Sequence, residues 1–79
     1  MPRFHLHLFN DIDVPDEDGS DYPDLATARA EAIRSARAMM AEHLLAGRSI
    51  ALGHRINVAD EQGKVLASIP FRELITVVD

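Results

Sequence analysis

The 79-residue chain has no cysteine. Neither a disulfide framework nor a thiolate zinc site can stabilise it, and a cysteine nucleophile is excluded. Positive charge is scarce: 8 Lys and Arg stand against 13 Asp and Glu, for a net charge of −5. A phosphate-backbone binder needs a basic face, so this balance argues against nucleic acid as a partner. No apolar run approaches the ~20 residues needed to span a bilayer, which argues against a membrane role. The start, MPRFHLHLF, alternates polar and apolar residues and does not read as a signal peptide. Cytoplasmic residence is the expectation. The 4 glycines are scattered, so no glycine-rich phosphate loop exists. Ser20, Ser35, Ser49 and Ser68 lack an elbow-type context, and Thr27 and Thr76 have no evident base. The chain is expected not to be an enzyme, and no cofactor is implied.

What the chain has in quantity is acid in one place. Asp11, Asp13, Asp16, Glu17, Asp18, Asp21 and Asp24 all fall just before the only long helical pattern. The apolar fraction, 47%, is that of a folded domain. One small domain, residues 1–79, buries only roughly 60–65% of its unfolded surface, so dimerisation is an inexpensive route to stability.

Arg3 to Phe9 alternates, with Phe4, Leu6 and Leu8 on one face and His5, His7 and Phe9 on the other. This predicts a strand over 3–9 with Phe4, Leu6 and Leu8 towards the core. Asn10-Asp11 is turn chemistry, and Ile12 and Val14 suit a short returning strand inside an acidic loop over 10–23. Residues 24–46 read as one helix: Asp24 is a good N-cap, the interior is rich in Ala, Arg, Glu, Met and Leu, and Gly47 is a natural terminator. Leu25, Ala28, Ala32, Ala36, Met39 and His43 share a stripe, widened by Ile33, Met40 and Leu44. Two further strands are predicted at 55–59 and 65–70, joined by the polar turn Asp60–Lys64. Val65, Ala67 and Ile69 are expected on one face and Leu66 on the other. A turn or short strand should follow over 71–78. The expected class is α+β, in the order ββαββ, with a small antiparallel sheet of three to four strands and one long helix on one face.

A helix of about 22 residues is roughly 33 Å long, whereas a six-residue strand is about 20 Å. One helix end must overhang its sheet. If that is the C-terminal end, Met39, Met40, Leu44 and Leu45 need a cover, which makes them interface candidates.

These landmarks resemble a family of short bacterial proteins, frequent in rhizobia and related alphaproteobacteria, designated a domain of unknown function (6894). The matching residues are MPRF at Met1–Phe4, His7-Leu8, Asp18-Gly19, the helix start at Pro23–Arg37, and INVADEQGKVLASIPFREL at Ile56–Leu74. The match covers nearly the whole chain. It departs at Asn10-Asp11-Ile12, where a tighter glycine-containing turn is expected. The resemblance implies no activity, cofactor or catalytic residue, so none is carried over.

Two groups invite a metal reading. Asp16-Glu17-Asp18-Gly19 has a calcium-loop look, but with Gly19 at position six the first ligand would be Val14 and the last Leu25, neither of which offers a suitable oxygen. His5 and His7, at i and i+2, could ligate one metal given a third donor such as His43, His54 or a loop carboxylate. Asp16, Asp18, His5 and His7 are thus the candidates, against a background expectation of no metal. For His43 the alternative is a helix-end histidine facing the negative dipole pole. Arg29, Arg34, Arg37 and Arg48 read as a solvated surface, with Glu31 pairing with Arg34.

The functional expectation is a non-enzymatic interaction module that forms a homodimer or binds a protein partner. Two alternatives stand beside it: an antitoxin-like regulator that binds a toxin, of a kind that sometimes binds DNA, and a weak divalent-cation binder through the acidic loop.

Overall fold

The computed structural model describes residues 2–9 and 13–78. The expected turn at Asn10-Asp11 and the start of the returning strand at Ile12 lie outside them. The elements run β1 (Arg3–Phe9), β2 (Asp13–Val14), β3 (Ser20–Asp21), α1 (Leu25–Leu45), β4 (Arg55–Ala59), β5 (Val65–Pro70) and a 3-10 turn (Phe71–Glu73). The sheet is antiparallel in the order β2-β1-β4-β5, and β3 joins the same side of β1 as β2. The class is α+β, as expected. The order differs by the additional two-residue strand β3, which returns along β1 opposite Arg3 and Phe4.

Alternation in β1 sets the two sheet faces. Leu6 pairs with Val58 and Val58 with Ala67; Leu8 pairs with Ile56 and Ile56 with Ile69. These residues and Phe4 face α1, and the core gathers Phe4, Ile56, Val58, Ile69 and Phe71. From the helix come Ala28, Ala32, Ala36 and Met40, each spaced by four residues. The three alanines are fully buried. Their short side chains let the helix axis approach the sheet closely, which is how so few residues close a core.

Asp24 caps α1, accepting from Thr27 N–H at 2.8 Å and from the Thr27 hydroxyl at 2.7 Å. At the other end Gly47, with φ of 70°, donates to Leu44 O, and Arg48 donates to His43 O. These are the two bonds of a Schellman ending, and the left-handed residue is the expected glycine.

Three details refine the expectation. Between Val58 and Ala59 the β4–β5 register shifts, because Ala59 pairs with Val65 and one residue of β5 is skipped. Leu66 and Ala67 therefore both pack on the core, while Val65 is exposed. The bulge defeats strict alternation. Secondly, of the turn or short strand expected after Pro70, the described residues form the turn. The Phe71 N–H donates to His54 O at 2.9 Å and Leu74 N–H to Phe71 O, so the chain curls inward and buries Phe71. Thirdly, the helix overhangs at its C-terminal end. The buried helical positions stop at Met40, and Leu44 and Leu45 are 69% and 89% exposed. Met40 itself lies in the core and Met39 packs against it. Among the described residues, no helix is long and apolar enough to cross a membrane.

Candidate functional site

The acidic segment folds back along the free side of β1, and Asp16 is its anchor. Even-numbered residues of β1 direct their backbone groups away from β4, as Pro2 O shows by accepting from Tyr22 N–H. Between β2 and β3 the returning chain is not a strand, so Leu6 N–H has no backbone partner there. The Asp16 carboxylate takes its place, with Oδ2 accepting from Leu6 N–H at 3.1 Å. Its Oδ1 accepts from Gly19 N–H at 3.1 Å, closing a tight turn. Gly19 adopts a φ of 69°, and a Cβ there would lie 2.9 Å from Phe4 O. Only glycine lets the loop pass this close to β1.

His5 and His7 hold the backbone of the same residue. His5 Nδ1 lies 2.7 Å from Asp16 O, and Asp16 N–H donates to His7 Nδ1 at 3.0 Å. A carbonyl only accepts, so His5 carries its proton on Nδ1. An N–H only donates, so His7 Nδ1 is unprotonated and the neutral ring has its proton on Nε2. The rings stack with centroids 5.8 Å apart and planes 13° from parallel. Outward they present opposite characters, a lone pair on His5 Nε2 and a donor on His7 Nε2.

This geometry decides what the candidate metal ligands can do. A metal shared by two imidazoles needs a lone pair from each. In this arrangement only His5 has one to give. Both Asp16 oxygens are engaged by backbone N–H groups. Asp18 contributes its carbonyl, which accepts from the Arg3 guanidinium at 3.1 Å, and its side chain is exposed. Arg3 also pairs with Asp21, Nε to Oδ1 at 3.2 Å. Among the described residues, no group of three or more His, Cys, Asp or Glu side chains is placed to hold a metal ion. The shallow basin beyond the two rings is lined by Glu17, Asp60 and Glu61 as well. Asp60 is partly committed there: its Oδ1 accepts from Gln62 and Lys64 N–H, each at 2.9 Å, to close the β4–β5 turn.

The same sheet face continues past the histidines. Phe9 and Arg55 form a cross-strand pair, with the guanidinium carbon 4.7 Å from the ring centroid. Asn57 sits between His7 and Ser68, buried, with Oδ1 lacking a hydrogen-bond partner among the described residues. On the helix, Arg34 forms a two-pronged pair with Glu31 as expected. The Arg34 hydrogen bonds hold the Glu31 carboxyl below its ordinary pKa, and Glu31 in turn raises Arg34. His43 lies in the last turn of the helix, and its Nδ1 is 3.2 Å from Ser49 O.

Two features escaped the sequence reading. One is Asp16, whose structural task could have been suspected from the Asp-x-x-Gly spacing of a side-chain-closed turn. The other is the segment 48–54, which carries no periodicity yet folds beneath the helix end and contributes Ile50 to the packing.

A family model described as Domain of unknown function (DUF6894) matches residues 3–72. No curated protein and no solved structure matches the chain.

Proposed function

The chain belongs to the family DUF6894, a domain of unknown function, and we propose that it acts there as a non-enzymatic interaction module that associates with a second copy of itself. The observation that carries this reading is the unpaired edge of β5. Phe71 N–H points to His54, and the pairs Ile56–Ile69 and Val58–Ala67 continue that alternation. Ser68 and Pro70 therefore direct their backbone groups outward. Pro70, which has no N–H, sits where a donor would face away from the sheet. From Val65 to Pro70 there is no charged side chain. Natural edges are commonly blunted by charges, by Pro or by a bulge; this one carries no charge, and its bulge and Pro70 stand at its two ends.

Charge selects the pairing. The opposite edge of the sheet carries Asp13, Asp16, Glu17, Asp18 and Asp21. Joining two copies there would set carboxylates against carboxylates. Joining them antiparallel through β5 sends both acidic rims to the far ends, and a two-fold axis makes the contact self-complementary. The exposed Leu44 and Leu45 add apolar surface that an assembly can cover. Cytoplasmic residence is part of the same proposal.

Sedimentation velocity tests it. The wild-type chain is expected to sediment as a dimer at tens of micromolar. Ser68→Pro deletes one outward N–H and leaves the β4 ladder intact, so it should give a folded monomer. A wild-type monomer at millimolar concentration would overturn the reading. A dimer that survives Ser68→Pro would remove β5 as the contact.

A further inference from the structure

We propose that the pocket under the C-terminal end of α1 is a binding site for a small, neutral, bicyclic aromatic molecule carrying one hydrogen-bond donor. It lies where the helix end, the 49–54 segment and the ends of β1 and β5 meet. Its volume is about 240 Å³. Leu8, Met39, Met40, Ile50 and Phe71 form its walls, and His43, Ser49, Ala51 and His54 complete it. This site is on the helix side of the sheet and does not depend on the β5 edge.

Three observations fix the ligand class. The first is size. An apolar cavity of about 150 Å³ takes up benzene, so this one has room for two fused rings. The second is charge. No Asp, Glu, Lys or Arg is among the lining residues. A charged ligand would leave water without a counter-charge, which an apolar wall penalises heavily. The third is the chemistry of the walls. Met39 and Met40 bring flexible, polarisable sulfurs that fit against aromatic rings. Of the polar lining residues His43, Ser49 and His54, His43 brings an acceptor. Its Nδ1 faces Ser49 O at 3.2 Å, which places the proton of the neutral ring on Nδ1. Nε2 is then an acceptor on a ring that lines the pocket, open to one N–H or O–H of the proposed ligand. A few polar groups on an apolar pocket are how such sites set orientation.

The probe is indole, with indene as its counterpart of the same fused six- and five-membered frame lacking the donor. On indole addition to the full chain, the methyl signals of Met39 and Met40 and the amides of Ile50 and Ala51 should shift saturably. Indole should bind roughly three- to tenfold tighter than indene, the range of one neutral hydrogen bond. His43→Phe should bring that ratio to about one. Ala51→Trp, at an exposed position on the rim, should abolish the shifts while preserving the fold. The proposal is overturned if indole gives no saturable shift in the wild-type chain, if the shifts fall on β5 instead, or if they persist unchanged in Ala51→Trp. Because the readout is local to the pocket, it separates from the oligomeric state tested above.

Discussion

The Leu6 N–H donates to Asp16 Oδ2 at 3.1 Å, so a side chain stands in for a strand at the edge of β1. Asp16 engages β1 through its carboxylate, its N–H and its carbonyl together. The acidic segment is therefore held by one residue at its centre, with Arg3 bonded to Asp18 O and Asp21 nearer its end.

Asp16→Ala removes the acceptor for both Leu6 and Gly19 N–H. Leaving two part-buried donors unpaired should cost about 2–4 kcal/mol in urea unfolding, at roughly 1–2 kcal/mol each. Amide exchange at Leu6 should accelerate more than at His7, whose N–H belongs to the β4 ladder. Equal acceleration at both positions would contradict the assigned role.

The two histidines should show different tautomers in a long-range nitrogen–proton correlation spectrum at pH 8. His5 is expected as the Nδ1–H form and His7 as the Nε2–H form. Finding both rings with the proton on Nε2 would remove the hydrogen bond to Asp16 O. Zinc added at this pH should not be held by the two rings together, because His7 offers no lone pair on Nε2.

Gly19 and Gly47 share a positive φ but differ in surroundings. A Cβ at Gly19 meets Phe4 O, Arg3 Cγ and His5 Cε1, each at 2.9 Å, whereas nothing lies within 4 Å of one at Gly47. Gly47→Ala should cost about 1–2 kcal/mol, the ordinary penalty of a left-handed alanine. Gly19→Ala should cost clearly more and detach the acidic segment, because a backbone carbonyl cannot move aside cheaply. Thermal unfolding of the two variants side by side settles the order.

Asp24 gives a pH-dependent prediction. The Thr27 hydroxyl, and then its N–H, hold the Asp24 carboxyl below its ordinary value of 3.8. The folded pKa is the lower one, so the cap's contribution is present above the unfolded value and is lost as pH falls through the folded value. Asp24→Ala should lower Tm by several degrees at pH 7. The gap should begin to narrow near pH 3.8 and close below the folded value. A gap that stays constant down to pH 2 would mean that the ionised cap contributes nothing.

Local pattern carried the sequence a long way. Alternation from Arg3 to Phe9 set which side chains meet the helix, because successive strand residues point to opposite faces. Asp24 and Gly47 marked the helix ends, because caps act through bonds within a few residues. Ala28, Ala32 and Ala36 identified the buried stripe by spacing alone. The tertiary structure decided what depends on distant partners. Asp16 reads as one acid among seven until β1, ten residues earlier, presents an unpaired N–H to it. His5 and His7 read as a possible ligand pair until one peptide unit fixes their protons on opposite nitrogens. Leu66 turned inward because β4 imposed a bulge, and Met40 became core while Leu44 and Leu45 stayed in water because the sheet ends before the helix does. Residue order sets propensity and periodicity. Which donor meets which acceptor is set only when the strands align.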